Sequence, residues 1–220
     1  MTATPDPTPT PTPSPSDVAI QAGQRMLQIN SLHFVIELSG KLTYLDDRAT
    51  LALKRAEGDV ERPDRMRAIV TMSTLGISSE VAIIGIGDDQ YATNPFNQEW
   101  EALPEGYGWH FDPAVLFDPD YGIEAILRSS DWRFGETEEI EGQEHHHLQG
   151  TLPGERLQLL TSGLISSGEV EVEIWTGRED ALVRRIHVVE TESDPDTPSE
   201  WLITFATFDE PVGIEPPPIP

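Results

Sequence analysis

An alternation of apolar and polar residues with a period of two is the feature that most constrains how this chain can fold. Between residues 31 and 44 the odd positions are mostly polar. The even positions are mostly apolar: Leu32, Phe34, Ile36, Leu38, Leu42 and Tyr44. Because successive side chains of a β-strand point to opposite faces, this run predicts a half-buried strand with one apolar face.

The same pattern recurs along most of the chain. Three more strands are predicted at 50–61, 64–75 and 77–88, followed by a short hairpin at 90–94 and 99–103. Further strands are predicted at 132–140, 145–151, 169–176, 182–190 and 200–208. Only a few turn residues separate the first four predicted strands. Such short connections imply that neighbouring strands are antiparallel.

Helical patterns occupy three places in the sequence. The first is predicted to run from Asp17 to about residue 30, with Ser16 or Asp17 as its cap. Two Asp-Pro pairs open the predicted helical runs 113–117 and 119–128, and a short helix is predicted at 153–160. One long helix, a run of strands, a helical insertion and more strands predict an α+β fold built on a large antiparallel sheet.

The two ends of the sequence differ from the middle. Residues 1–17, MTATPDPTPTPTPSPSD, form a Pro/Thr tether that is predicted to be disordered, although a plain solvated terminus has the same composition. Residues 18–210 are predicted to be a single domain, large enough to bury a core. The closing residues 211–220 are a proline-rich tail with little predicted capacity to fold.

Charge and cysteine content exclude several classes of function. The formal net charge of −25 disfavours nucleic acid as a partner, since phosphates would be repelled. It also disfavours a polybasic membrane-surface helix, while it favours the solubility that a carrier of apolar cargo needs. The absence of cysteine rules out disulfides, thiol nucleophiles and thiolate metal sites in this chain.

No catalytic or metal-binding set stands out, so the chain is predicted not to be an enzyme and to need no cofactor. Consecutive histidines at 145–147 cannot all converge on a metal from a strand, and a polar strand end explains them better. A calcium site at Asp112, Asp118 and Asp120 is the weaker alternative to helix capping by the same residues. Aromatic residues near the loop at 104–108 could line a cavity mouth, touch a membrane interface or cap one end of the core: Trp100, Tyr107, Trp109 and Phe111.

Several short motifs occur in a recognisable order. They are SLHF at 31–34, AEGDV at 56–60 followed by RPDR at 62–65, IGIGDD at 84–89 followed by Tyr91 and TNP at 93–95, DPA at 112–114 with LFDP at 116–119, and HL at 147–148 with Gly150. Together they resemble the LppX/LprG family of bacterial lipoproteins, which is related to the LolA/LolB lipid-carrier fold. The resemblance covers nearly all of the chain after the tether.

This resemblance implies a fold, a ligand and a location. The family fold is a strongly curved antiparallel half-barrel with helices on its concave side and an apolar cavity between them. The implied function is that of an extracytoplasmic carrier, and the implied ligand is a diacyl or triacyl lipid or glycolipid. Members are exported and anchored in the cell membrane by an acylated cysteine upstream of a tether, and this sequence contains no cysteine. An export or transporter partner is not indicated.

The residues predicted to line such a cavity come from the apolar strand faces and the helical covers. They are Leu27, Phe34, Ile36, Leu38, Ala68, Val70, Met72, Val81, Ile83, Val115, Leu116, Ile126, Leu127, Leu157, Leu160, Val172 and Ile174. The Gly/Pro-rich segment 104–128 is the predicted gate, because it interrupts the sheet. The alternative is a cell-envelope structural or sensing module that binds a protein partner and has no lipid cavity, since protein interiors are normally close-packed.

Overall fold

The computed structural model describes residues 12–104 and 113–219. In this part of the chain thirteen strands and two α-helices are present, together with two short 3-10 helices at Pro113–Phe117 and Gly154–Leu157. The α-helices are α1 (Pro15–Met26) and α2 (Ile123–Arg128). The strands are β1 (Ser31–Ser39), β2 (Thr43–Tyr44), β3 (Ala52–Glu61), β4 (Arg65–Thr74), β5 (Ile77–Ile86), β6 (Asp89–Thr93), β7 (Trp100–Ala102), β8 (Arg133–Phe134), β9 (Glu138–Ile140), β10 (Gln143–Pro153), β11 (Glu169–Gly177), β12 (Val183–Glu190) and β13 (Ser199–Ala206).

The strands form one open antiparallel sheet. Its order is β7-β6-β5-β4-β3-β1-β13-β12-β11-β10-β8, with β2 added beside β3 and β9 beside β10. The first strand therefore lies in the middle, and the last strand β13 joins the two halves by pairing with both β1 and β12. This confirms the predicted α+β fold with a large curved antiparallel sheet.

The first helix begins earlier than predicted. Ser14 is its cap: the Ser14 hydroxyl accepts the Asp17 backbone N–H at 3.2 Å, and the Asp17 carboxylate accepts the Ser14 N–H at 3.0 Å. This reciprocal capping box satisfies amide groups that a helix N-terminus otherwise leaves free. The helix therefore starts at Pro15, inside the segment assigned to the tether, and ends at Met26.

Some predicted elements are shorter or divided. The strand predicted at 31–44 ends at Ser39, because Gly40 takes a left-handed φ of +70° and turns the chain before β2. The strand predicted at 132–140 divides into β8 and β9, which both pair with β10. The helix predicted at 119–128 begins only at Ile123, and the one at 153–160 is a four-residue 3-10 helix.

Gly58 allows two neighbouring strands to approach each other closely. It lies opposite Ala68 on the neighbouring strand β4. A Cβ atom added to Gly58 would lie 2.0 Å from the Arg67 carbonyl oxygen and 2.7 Å from the Ala68 Cα. Only a residue without a side chain allows the two backbones to approach this closely, as glycine within a strand often does.

The core lies on the concave face of the sheet. Buried residues from β1, β3, β4 and β10–β13 pack together with α1, α2 and the 3-10 helix at Pro113–Phe117. Helix α1 packs against α2 and also contacts β8 and β10, so it lies behind α2. No helix in the described part of the chain has both the length and the hydrophobicity to cross a membrane.

The C-terminal tail is better ordered than its composition suggested. Ile214 is only 1% exposed, and its carbonyl oxygen accepts a hydrogen bond of 2.8 Å from the Arg65 guanidinium. Nearby, the Ser31 hydroxyl donates to the Glu210 carbonyl oxygen at 2.6 Å. The prediction that residues 211–220 have little capacity to fold is therefore wrong for the segment around Ile214, because one apolar side chain finds a buried site.

Candidate functional site

An apolar cavity of about 100 Å³ lies between the concave face of the sheet and its covers. Strands β1, β3, β4, β11, β12 and β13 supply one side. Helix α2, Leu116 of the first 3-10 helix and the connection between β10 and β11 supply the other. The lining residues are Phe34, Ile36, Leu53, Ala56, Met66, Ala68, Leu116, Ile123, Ile126, Leu127, Leu157, Leu160, Thr161, Ile165, Val172, Ile174, Ile186, Val188, Trp201, Ile203 and Phe205.

The structure brings ten of the residues predicted from sequence together around this cavity. They come from both the strands and the covers, which lie far apart along the chain: Phe34, Ile36, Ala68, Leu116, Ile126, Leu127, Leu157, Leu160, Val172 and Ile174. Period-two alternation identified the strand residues, and helical spacing identified those of α2.

Seven predicted residues lie elsewhere. Val70 and Val81 are buried in the sheet, whereas Leu38, Met72 and Ile83 are half-buried and pack against the edge of the core. Of the other two, Leu27 is the residue after α1, and Val115 is half-buried in the middle of the first 3-10 helix. None of these seven residues is among those that line the cavity.

Eleven lining residues were missed by the sequence reasoning. They are Leu53, Ala56, Met66, Ile123, Thr161, Ile165, Ile186, Val188, Trp201, Ile203 and Phe205. Alternation was visible for most of them, because Ile186 and Val188, and then Trp201, Ile203 and Phe205, occupy every second position. The missing information was the strand order, since pairing of β13 with β1 is what carries these residues to the centre of the concave face.

The lining offers almost no free hydrogen-bonding group. Among the described residues, Thr161 is the one lining residue with a hydroxyl, which accepts the Ile165 backbone N–H at 3.0 Å and donates to the Leu157 carbonyl oxygen at 2.9 Å. The indole N–H of Trp201 is also satisfied, because it donates to Glu190 at 3.0 Å. Such a wall is complementary to hydrocarbon, since a polar ligand group buried there would lose its hydrogen bonds to water.

Two side chains hold the covers in place. Arg62 donates to the carbonyl oxygens of Leu27 and Ile29, both at 2.7 Å, and its guanidinium lies 4.0 Å from the ring centroid of Phe117. Burial lowers the pKa of the Arg62 guanidinium. The buried indole of Trp132 donates to the Leu127 carbonyl oxygen at 2.6 Å and so satisfies the end of α2.

A polar cleft of about 410 Å³ lies beside the cavity, formed by the segments 41–47 and 162–164 with Glu190, Ser193 and Ser199. Glu190 links the two spaces, since it lines the cleft and accepts the N–H of the cavity residue Trp201. Burial raises the pKa of the Glu190 carboxyl, although the Trp201 hydrogen bond and the Lys41 charge act in the opposite direction.

The sequence raised two possible metal sites, the histidines at 145–147 and a calcium site. Among the described residues, no group of three or more His, Asp or Glu side chains is placed to hold a metal ion. The Asp118 carboxylate accepts the N–H groups of Asp120 at 2.8 Å and Tyr121 at 3.0 Å, so it stabilises a turn before α2 instead of capping a helix as predicted from the sequence. Asp112 lies outside the described residues, as do three of the four aromatic residues of the 104–108 loop region: Tyr107, Trp109 and Phe111.

The three histidines of β10 are more enclosed than a polar strand end would be. His145 is 1% exposed, with its Nδ1 at 2.8 Å from the Gln143 carbonyl oxygen. His147 stacks on Trp175 with 4.4 Å between ring centroids. Burial lowers the pKa of His146, with a further contribution from the Arg178 charge.

These features define an open, curved antiparallel half-barrel whose concave face and short covers enclose an apolar space. Comparison with known proteins then gives the family. The model of the LppX_LprAFG lipoprotein family matches residues 14–214, and the chain belongs to this family. No curated protein shows significant sequence similarity to the chain.

Solved structures with the same fold share little sequence with the chain. LprF from Mycobacterium bovis is 15% identical with a TM-score of 0.74, over 95% of this chain and 99% of that one. The lipoprotein LppX from Mycobacterium tuberculosis is 18% identical with a TM-score of 0.59, over 90% of this chain and all of that one.

Proposed function

We propose that the protein is an extracytoplasmic, non-enzymatic carrier that shelters the acyl chains of a diacyl or triacyl lipid or glycolipid beneath its curved sheet. The observation that carries the proposal is the lining of the cavity, in which Thr161 is the one hydroxyl-bearing residue and is already hydrogen-bonded within the protein. Membership of a lipoprotein family supports the same assignment and the extracytoplasmic location.

The energetics suit transport as well as binding. Each buried CH₂ group contributes about 0.8 kcal/mol relative to water, so a long acyl chain in an apolar cavity would not escape into solvent. Transfer from the interior of a bilayer is nearly neutral on the same scale. A carrier of this kind therefore keeps its ligand while in water and exchanges it on contact with a membrane.

The cavity has to widen before it holds an acyl chain. Its volume of about 100 Å³ is below the roughly 300–1,000 Å³ of most ligand sites. The described part of the gate segment 104–128 suits such a movement, because α2 has six residues and Gly122 at its start provides no side-chain cap. Outward displacement of α2 would enlarge the space over Ile126 and Leu127 without breaking a strand pair.

The polar cleft offers a place for the head of the ligand. Its wall contains Lys41, Ser193, Ser199 and Glu190, beside the Leu160–Ile165 part of the cavity cover. With Asp46 and Asp47 the acidic side chains of the cleft outnumber its one lysine, so the cleft suits a hydroxylated head group rather than an anionic one. In this proposal the acyl chains lie under the sheet while the head group stays in the more open cleft.

The proposal also includes attachment of the carrier to the cell membrane. An acylated cysteine upstream of the tether, outside the present sequence, would hold the carrier at the cell membrane. The Pro/Thr segment would then act as an extended spacer between the lipid anchor and α1.

Native mass spectrometry of the purified protein, followed by organic extraction and identification of the lipid, tests the proposal directly. We expect a stoichiometric diacyl or triacyl species to leave with the protein and to be released by solvent. A protein that is empty as purified and stays empty after incubation with lipid vesicles would contradict the carrier function.

The second candidate is an envelope module that binds a protein partner through its sheet, with the interior closed. The small volume of the cavity favours this candidate. The same mass spectrometry separates the two, since a closed interior gives an apo mass under every loading condition.

A further inference from the structure

Three apolar side chains stand out from the surface at the tips of two turns. Leu75 is 98% exposed and Ile77 75% exposed, on either side of Gly76 in the hairpin between β4 and β5. Phe96 is 94% exposed in the turn between β6 and β7. Single exposed apolar residues are normal, but three at such high exposure on neighbouring hairpins indicate an interaction surface.

These tips lack the charge that covers the rest of the protein. The chain has 53 charged residues among 220, from 14 basic and 39 acidic side chains. The hairpin 73–79 and the turn 94–98 contain none, and their other residues are Ser, Thr, Gly, Asn, Pro and Gln. We refer to these two segments together as the neutral rim.

Both segments project from the same end of the sheet. Strand β5 is antiparallel to β4 and to β6, so β4 and β6 run in the same direction and their following turns lie at the same end. The connection between β10 and β11, which contains the cavity residues Leu157 and Leu160, also lies at this end, because the alternation of strand direction continues across the sheet. The neutral rim thus flanks the end at which, among the described residues, a short 3-10 helix and turns cover the cavity.

We propose that the neutral rim is a membrane-docking surface, whose three apolar side chains insert into the interfacial region of an electrically neutral bilayer. This inference goes beyond the proposed carrier function and does not depend on it, because docking at a surface needs no ligand in the cavity. Insertion of a few apolar side chains without supporting basic residues gives reversible rather than permanent attachment.

The shape of the rim favours a bilayer over a protein partner or a second copy of the chain. The tips are convex and separate, with Leu75 almost uncovered by its own chain. A protein partner would need a matching pocket for each tip, whereas fluid acyl chains and head groups close around any projecting apolar group. Flanking Ser and Thr side chains of the hairpin 73–79 can hydrogen-bond with lipid head groups, whereas Asn94 and Asn97 already bond within their own hairpin.

The net charge decides which bilayer is preferred. A chain of charge −25 is repelled by an anionic membrane, and the repulsion weakens as salt shortens the Debye length. We therefore expect binding to vesicles of phosphatidylcholine that is insensitive to salt. Binding to vesicles containing phosphatidylserine should be weaker at low salt and should increase as salt is added.

The experiment is flotation of the full chain with phosphatidylcholine vesicles, comparing the wild type with the triple variant Leu75→Ser, Ile77→Ser and Phe96→Ser. Serine changes no charge, and these exposed positions make no core contacts, so the variant should unfold at the same urea concentration. We expect the partition coefficient to fall by at least about tenfold. The matched control is Ile69→Ser, which removes a half-exposed isoleucine from the middle of β4 and should leave the partition coefficient unchanged.

A second readout reports the position of the contact. Tryptophan emission of Leu75→Trp should shift to shorter wavelength when vesicles are added, beyond any shift of the wild type, and that of Ile69→Trp should not. Equal flotation of the wild type and the triple variant, or no flotation of the wild type, would overturn the proposal. So would wild-type self-association, detected by sedimentation, that the triple variant abolishes. A wild type that floats but never carries lipid would leave docking intact and refute only the carrier function.

Discussion

At the residue scale, two positions show how local chemistry serves the curved sheet. Gly58 permits the close approach of β3 and β4, and Glu190 connects the cavity wall to the polar cleft through Trp201. Glycine within a strand often marks a bend or a close approach of two backbones. The sequence alone does not distinguish Gly58, which faces a neighbouring backbone, from Gly85, which has open space around it.

We predict that Gly58→Ala lowers the free energy of unfolding by about 1–3 kcal/mol, because the added methyl group would overlap the Arg67 carbonyl oxygen. Urea denaturation followed by circular dichroism measures the change. Gly85→Ala is the matched control, since its Cβ would lie no closer than 4.0 Å to Gln90 Nε2. Equal stability of the two variants would mean that the approach of β3 to β4 is not tight.

We predict that Glu190→Gln raises the free energy of unfolding above that of the wild type at neutral pH. The gain should be smaller at acid pH. Burial raises the pKa of Glu190, so the folded state binds this proton more tightly than the unfolded chain does. The wild type therefore loses stability as the pH rises above 4.5, the ordinary pKa of glutamate, and through the raised value. Glutamine keeps an acceptor for the Trp201 indole and has no such loss.

Urea midpoints of both proteins from pH 4 to 7 check this prediction. The difference between variant and wild type should grow across that window and then level off. A difference that is constant with pH would show that Glu190 has the same pKa in the folded and unfolded states.

At the element scale, helix starts and strand ends were the least accurate part of the sequence reasoning. Proline at the first helical position and a serine before it are both ordinary start signals, but three serine and aspartate candidates occur within four residues. The capping box selects Ser14, because its partner Asp17 lies three residues later. Strand ends such as Ser39 depended on backbone conformations that alternation does not reveal.

We predict that Ser14→Ala costs about 1 kcal/mol of stability, because the Asp17 amide loses its acceptor and the Asp17 carboxylate loses the Ser14 hydroxyl as a donor. Ser16→Ala is the control and should change stability by no more than about 0.5 kcal/mol, since surface substitutions without special contacts are usually that small. Hydrogen exchange of the α1 amides provides the local measurement. An equal effect of both substitutions would place the cap elsewhere.

At the scale of the whole molecule, the cavity depends on the strand order. Elements distant in sequence meet because β13 pairs with both β1 and β12 and so closes the two halves of the sheet. Helix α1 does not line the cavity but packs behind α2, so the cover consists of short elements. Short covers over an apolar space are what an exchangeable ligand requires, because their displacement leaves the sheet intact.

We predict that Ala68→Phe lowers lipid occupancy several-fold while leaving the protein folded. Ala68 lines the cavity, so the ring would occupy the space proposed for the acyl chain. Ile69→Phe places the same ring on the opposite face of β4 and should leave occupancy unchanged. Native mass spectrometry after identical loading gives both occupancies. Equal occupancy in the two variants would place the ligand outside this cavity.

The sequence alone determined the fold class and the apolar face of most strands, because alternation is a local property that every strand carries in its own residues. It also identified ten of the lining residues, five by alternation on the strands and five from the predicted helical covers. Only the tertiary structure decided that β13 lies beside β1, that Ile214 is buried and that the cavity is as small as about 100 Å³. These depend on contacts between residues far apart in the chain, and the free energy of such contacts is set by packing in three dimensions rather than by any local pattern.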